Sequence, residues 1–116
     1  MASLKKLSDF VRGDTPVLEF DIGKTDGTPI DLADYTAKIT ITSNPAPTDM
    51  SDALVAKASM TIDGSKASYQ LPNSISMQFV PDQTYYGDVE ITKAPAETNT
   101  YTPIRFTIMA IQDYGV

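Results

Sequence analysis

The sequence of 116 residues contains no cysteine, no histidine and no tryptophan. Without cysteine it cannot form a disulfide framework, a thiolate metal site or a cysteine nucleophile. Without histidine it lacks the most common general base and metal ligand, and a serine–histidine–acid arrangement is excluded. These absences argue against most hydrolytic chemistry. We therefore expect no enzyme activity, no catalytic residue and no cofactor.

Positive charge and long apolar segments are also scarce. Nine Lys and Arg oppose 15 Asp and Glu, which gives a net charge of −6. Such a chain repels a phosphate backbone, so we expect no nucleic-acid partner. No apolar run approaches the length of about 20 residues that a membrane-spanning helix needs, so we expect no membrane insertion and no export signal.

What remains is the composition of a folded domain, with 41% hydrophobic and 21% charged residues. The length suits one domain rather than two. Aspartate and threonine are abundant, at 12 and 14 residues, while glutamate occurs three times. This composition disfavours helices and favours strands joined by turns.

Alternation of apolar and polar residues predicts the strands. They are expected at residues 17–22, 36–43, 54–62, 67–71, 84–92 and 104–110. In the second of these, Ala37, Ile39 and Ile41 should point inward to the core, with Lys38, Thr40 and Thr42 pointing outward. In the third, the expected core face is formed by Leu54, Ala56, Ala58, Met60 and Ile62.

Turn signals separate these strands. Asp26-Gly27 and Asp63-Gly64 are pairs that accept the positive φ of tight hairpin turns. Residues 72–81 allow two interpretations, a strand or one turn of helix capped by Asn73, and we favour the helical turn.

Short strands, turn signals about every ten residues and no long helix predict an all-β protein. We expect an immunoglobulin-like antiparallel β-sandwich of six to eight short strands, with at most one short helical turn. Residues 11–116 should form this single domain. Residues 1–10 are polar and are expected to be an N-terminal arm that orders on a neighbouring molecule.

The aspartates raise the possibility of a calcium site, because hard cations need several oxygen ligands. Four of them fall within a short segment: Asp21, Asp26, Asp31 and Asp34. Their spacing does not match a calcium-binding loop, and turns use aspartate for backbone hydrogen bonds. We therefore predict no metal site.

Two further motifs have a chemical and a structural interpretation. Asp88 and Glu90 project from one face of a strand, as a pair of glycosidase carboxylates would, but charged residues are also typical of the solvent side of a sheet. Residues 12–14 spell Arg-Gly-Asp, which adhesion receptors read in some proteins, but a turn before the first strand needs the same residue types. We favour the structural interpretation of both.

Exposed aromatic and apolar residues point to an interface. Tyr85 and Tyr86 are adjacent on a strand, so they face opposite sides, and one of them should lie outside the core. Residues near the end of the last strand also leave the core register. The candidate interface residues are Tyr86, Tyr101, Met109, Ile111 and Tyr114.

Four segments, in chain order, carry a resemblance to a known family. They are residues 11–20 (VRGDTPVLEF), 26–32 (DGTPIDL), 84–91 (TYYGDVEI) and 101–108 (YTPIRFTI). This order resembles the N-terminal β-sandwich domain of bacteriophage baseplate upper proteins and the related domains of tail-fibre connector proteins. The motifs have structural reasons in a sandwich, because Leu32 would plug one end of the core and Gly87 would permit close aromatic packing.

The resemblance implies a structural protein of a phage or prophage tail that is made in the bacterial host cytoplasm and resides in the virion. It would be an adaptor, without catalysis, that joins the tail to fibre or receptor-binding proteins and forms a homo-oligomer. Such domains often begin longer proteins. The alternative is a carbohydrate- or receptor-binding module that uses the loop at residues 44–52 and the exposed tyrosines.

Overall fold

The computed structural model describes residues 4–23, 31–44, 51–93 and 100–112. For Leu4 and residues 100–103 the description covers the backbone only. The elements, in chain order, are β1 (Leu4–Lys6), β2 (Phe10–Val11), β3 (Val17–Asp21), β4 (Tyr35–Thr42), β5 (Ala53–Ser59), β6 (Thr61–Asp63), β7 (Lys66–Gln70), α1 (Asn73–Ser76), β8 (Thr84–Lys93) and β9 (Thr100–Ile111).

The strands form two sheets. The larger sheet has the order β1-β9-β8-β4-β5, with β2 also paired to β9, and the smaller sheet has the order β3-β7-β6. Among the nine described strands, the pairings are antiparallel except those of β1 and β2 with β9, which are parallel. The order β9-β8-β4 facing β3-β7-β6 is that of an immunoglobulin-like domain, which confirms the predicted all-β sandwich.

The described residues form nine strands, more than the six to eight expected. Two of the additional strands lie in or beside the predicted N-terminal arm. Residues 4–6 pair with residues 105–107 of β9, and Phe10 pairs with Ala110 and is buried in the core. We expected residues 1–10 to form an arm that reaches a neighbouring molecule. The described part of this segment instead pairs with β9 of the same chain.

The core lies between the two sheets and is filled by alternate residues of the facing strands. Ala37, Ile39 and Ile41 are buried as predicted, and Leu32 is fully buried at the end of the core. Aromatic rings join the two layers, with Phe20 and Phe106 at 5.2 Å between ring centroids. Close packing of this kind supplies most of the favourable free energy of folding.

Gly87 lies directly opposite Phe106 in the pairing of β8 with β9. A Cβ atom at this position would overlap the Phe106 ring, which is fully buried. Glycine therefore allows the ring to cover the backbone of β8, as the sequence indicated.

Strand β5 departs most from its predicted pattern. Its register with β4 shifts twice, since Ile39 pairs with Ala58, Ile41 with Val55 and Thr42 with Ala53. Each shift is a β-bulge, which turns the following side chains to the other face. The expected core face was wrong at Ala56, which is exposed while its neighbour Val55 is buried. The other predicted residues do pack, partly buried, against the core: Leu54, Ala58, Met60 and Ile62.

Thr40 and Thr42 point away from the smaller sheet as predicted, because they pair with Asp88 and Tyr86 of β8, but both are buried rather than exposed to solvent. The Thr40 hydroxyl accepts a hydrogen bond from the Lys57 backbone N–H (3.2 Å). The Thr42 hydroxyl donates to the carbonyl of Asp52 (3.2 Å) and accepts from the Asn44 N–H (3.2 Å). The bulged β5 segment thus covers these two hydroxyls.

The predicted strand at residues 54–62 is divided at Met60. The Met60 backbone N–H donates to the carbonyl of Ala37 in β4 (2.9 Å). After this residue the chain leaves the larger sheet and enters the smaller one as β6. One continuous apolar pattern therefore spans two strands in different layers.

The hairpin between β6 and β7 and the helical turn follow the sequence closely. Gly64 has a positive φ of 62° in the turn between β6 and β7. Helix α1 has four residues, but Pro72 occupies its N-cap position, and the predicted cap residue Asn73 donates its side-chain amide to the carbonyl of Gly13 (2.7 Å). Within the described ranges no helix is long and apolar enough to cross a membrane.

Candidate interaction surface

The larger sheet has a face that points away from the smaller sheet, which we call the outer face. On β8 and β9 it is formed by alternate residues that pair across the two strands: Thr84 with Met109, Tyr86 with Thr107 and Asp88 with Arg105. The intervening residues, such as Tyr85 and Phe106, point into the core.

One end of the outer face is apolar. The parallel pairing of β2 with β9 places Val11 beside Ile111, and Met109 follows two residues earlier on the same face. Tyr86 is the diagonal neighbour of Met109, a relation within the reach of long side chains. Ile111 is 38% exposed, and the other three are half-buried. We call these four residues the apolar end.

Three of the five predicted interface residues thus come together: Tyr86, Met109 and Ile111. The backbone of Tyr101 pairs with Ile91, five residues along β8 from Tyr86 and about 17 Å away at the rise of a strand. Tyr114 lies outside the described residues. No local pattern indicated Val11, because its neighbours in the fold are distant in the chain. That these residues form an interface stays a prediction.

The middle of the outer face is charged. Glu90 lies beside Lys38 in the pairing of β8 with β4, and its Oε1 atom is 3.8 Å from the Nζ atom of Lys57. On the other side of β8, Asp88 pairs with Arg105 of β9. Three basic residues therefore surround the two carboxylates that the sequence singled out.

The Asp88 carboxyl group is partly buried on this face. Burial, and secondarily the negative charge of Glu90, raise the pKa of Asp88 above its ordinary value, although Arg105 and Lys57 act in the opposite direction. Because burial disfavours the charged carboxylate of Asp88 in the isolated domain, a positive charge brought by a partner would stabilise that carboxylate. The arrangement thus suits an ionic contact with a partner.

The Arg-Gly-Asp segment has a structural role. The Arg12 guanidinium donates from Nε to the carbonyl of Phe79 (3.0 Å) and from Nη2 to that of Met77 (2.6 Å). Gly13 has a φ of 97°, and its N–H donates to the hydroxyl of the fully buried Ser76 (2.8 Å). The segment therefore fastens β2 to the turn after α1, which supports the structural interpretation.

A surface depression of about 630 Å³ lies beside this segment, lined by residues 9–11 and 13–16. It is open to solvent, whereas small-molecule sites enclose most of their ligand. It therefore offers no enclosed site for a small ligand.

The acidic turns show no metal-binding arrangement within the described ranges, where no group of three or more potential ligands comes together. Asp31 instead accepts a hydrogen bond at Oδ1 from the Ala33 N–H (3.0 Å), which is a typical use of aspartate in a turn. Asp26, most of the loop at residues 44–52 and the turn at residues 26–27 lie outside the described residues.

A scan of the sequence against protein-family models gives no match, and no curated protein matches it at a significant level.

Proposed function

We propose that this protein is a non-enzymatic structural protein of a phage or prophage tail. It would act as a baseplate or tail-fibre adaptor through contacts with other tail proteins and with copies of itself. It would reside in the virion tail after synthesis in the host cytoplasm. The order of motifs along the sequence and the sandwich fold support this proposal.

The observation that carries the proposal is the apolar end of the outer face. An antiparallel sheet with one solvated face normally presents polar residues on that side. Here Val11, Tyr86, Met109 and Ile111 are neighbours on the solvent side, and Thr84, Thr107 and Lys6 border them. Apolar patches with a polar rim are typical of protein–protein interaction sites, and aromatic residues and methionine are enriched there.

The charged middle of the outer face would set the orientation of a partner bound there. The two carboxylates lie on β8 between basic residues of β4, β5 and β9, so a partner with the complementary pattern is favoured in one register. Repeated copies around a tail need a contact of defined geometry, because a small error in angle prevents a ring from closing. An apolar anchor beside a charged pattern supplies both affinity and orientation.

The experiment is sedimentation velocity of the purified chain from micromolar to high-micromolar concentration, with Ile111→Lys as the test variant. We expect a closed oligomer for the natural sequence and an association weaker by at least about tenfold for Ile111→Lys. The unfolding free energy should change by less than about 0.5 kcal/mol, because the side chain is already exposed.

Val17→Lys is the matched control. Val17 is 58% exposed and lies on the smaller sheet, so the same change of charge and size should leave the oligomer intact. A monomer at all concentrations, or equal effects of the two substitutions, would contradict self-association through the apolar end. A closed ring in electron micrographs would support the adaptor role further.

A further inference from the structure

Strand β3 is an edge of the smaller sheet. It pairs with β7 on one side, and within the described ranges no strand pairs with it on the other. The hydrogen bonds that flank the pairing define its register. Ile22 donates to the carbonyl of Ser65 and Leu71 donates to that of Pro16, both at 2.9 Å.

These two bonds show which backbone groups face outward. In an antiparallel ladder, alternate residues exchange both of their hydrogen bonds with the partner strand. Pro16 and Ile22 direct their backbone groups to β7, and so do Leu18 and Phe20 between them. The N–H and C=O groups of Val17, Glu19 and Asp21 therefore point to the open side.

This edge is more regular than the other edges. The five pairs of β3 with β7 run without a register shift. By contrast, β5 has two register shifts and a positive φ of 48° at Lys57, features that hinder further strand pairing, and the edge strands β1 and β6 have three residues each. A regular edge with outward backbone groups is a template for one more strand.

The side chains beside the edge define the kind of strand that fits. Leu18 and Phe20 point into the core, whereas Val17, Glu19 and Asp21 are exposed. The Oε1 atom of Glu19 lies 3.7 Å from the Nζ atom of Lys66, but both side chains are more than half exposed, so this ion pair contributes little. Lysine or arginine on an added strand can therefore compete for both carboxylates.

A second copy of β3 fits this edge poorly. Antiparallel pairing about the centre of the strand would place Glu19 against Glu19 of the other copy and Val17 against Asp21. Like charges directly opposite each other destabilise a pair of strands, and each chain carries a net charge of −6. Charge complementarity instead favours a basic partner.

We propose that β3 binds an extended segment of another protein by β-augmentation. The segment carries lysine or arginine where it faces Glu19 and Asp21, and apolar residues at the alternate positions beside Leu18 and Phe20. Backbone hydrogen bonds to Val17, Glu19 and Asp21 supply affinity, and the two carboxylates select a basic sequence. This contact is on the opposite sheet from the apolar end and does not depend on the function proposed above.

The probe is a fluorescently labelled peptide of about seven residues that alternates lysine and valine. We expect saturable binding in fluorescence anisotropy, weakened by salt, and at least about tenfold weaker binding when glutamate replaces the lysines. A peptide with N-methylated backbone amides keeps its charge but cannot complete the ladder, so it should not bind. Equal binding of the N-methylated peptide would overturn the proposal.

Two variants locate the contact. Glu19→Pro removes an outward N–H while the ladder bonds of Leu18 and Phe20 to β7 remain, so it should abolish binding. Asp52→Asn changes the net charge at an exposed residue away from β3 and should leave binding unchanged. If the folded Glu19→Pro variant binds as tightly as the natural chain, the peptide binds elsewhere.

Hydrogen exchange gives a direct readout on the unmodified protein. The amides of Leu18 and Phe20 are already bonded to β7, so adding the peptide should change their exchange little. The amides of Val17, Glu19 and Asp21 should become protected when the peptide binds. Protection that is absent at these three amides, or spread over the whole chain, would contradict an added strand.

Discussion

The two faces of strands β8 and β9 use the same residue types for different purposes. Tyr85 is 3% exposed, and the centroid of its ring lies 4.5 Å from that of the Phe79 ring. Its hydroxyl accepts a hydrogen bond from the Val80 N–H (2.9 Å). Tyr86, the next residue, lies half-buried on the outer face opposite Thr107. The inner face is closely packed, whereas the outer face has room for a partner. Substitutions on the inner face should thus change stability, and those on the outer face should change association.

The largest effect is expected at Gly87 on the inner face. Gly87→Val introduces side-chain atoms where the buried Phe106 ring lies. Because the ring has no free space to enter, we expect a loss of about 3 kcal/mol or more of unfolding free energy, measured by urea denaturation. Thr107→Val, on the outer face of the partner strand, is the control and should change stability by less than about 0.5 kcal/mol. Equal midpoints for the two variants would show that the faces do not differ in packing.

The adjacent tyrosines allow a finer comparison. Tyr85→Phe removes the acceptor of the Val80 N–H, so we expect a loss of about 1 kcal/mol in unfolding free energy. Tyr86→Phe should cost less than about 0.5 kcal/mol, because its hydroxyl lies on the solvent side. Both values follow from thermal or urea denaturation under the same conditions. A larger cost at Tyr86 would contradict the assignment of the two faces.

The smallest effect is expected at Asp88. Its pKa is raised chiefly by partial burial, so the folded state binds the proton more tightly than the unfolded chain does. This contribution to stability is present below the ordinary pKa of the carboxyl and is lost as pH rises through the folded-state pKa. Asp88→Asn should therefore be more stable than the natural sequence at neutral pH, by less than about 1 kcal/mol because solvent screens the group.

Urea denaturation at neutral pH and near pH 3 tests whether Asp88→Asn is stabilising. The difference in unfolding free energy between this variant and the natural sequence should disappear at the lower pH. Asp34→Asn, at an exposed turn residue, is the matched control and should show no such difference. A less stable Asp88→Asn at neutral pH would mean that Arg105 and Lys57 outweigh the cost of burial.

Local patterns were sufficient for the fold class and for most inward-facing residues. Alternation identified the core faces of β3, β8 and β9, and the Asp63-Gly64 pair identified the hairpin between β6 and β7. The same rule was wrong for Val55 and Ala56 in β5, because a bulge depends on the contact between Lys57 and Thr40 across two strands. Lysine with a positive φ has no local sequence signal, since glycine or asparagine is the usual residue in that conformation.

The candidate surface was predictable to a similar extent. Met109 and Ile111 leave the core register of β9, and Tyr86 alternates with Tyr85, so the sequence indicated all three. Val11 was missed because a parallel pairing with β9 brings it beside Ile111 from the opposite part of the chain. The outward amides of β3 were also missed, because the strand order of the smaller sheet depends on contacts far apart in sequence.

The position of β9 in the larger sheet has a consequence for how the chain folds. It is the last strand along the described chain, yet it lies between β1 and β8, with Leu4 paired to Arg105. The hairpin of β6 and β7 can form early from local contacts, but the larger sheet cannot be completed until β9, which follows its partners in chain order, is available. Until β9 inserts, β8 has an open edge and the nascent chain exposes apolar surface. The sheet is therefore completed from within, when β9 inserts between β1 and β8, rather than by addition of a strand at its edge.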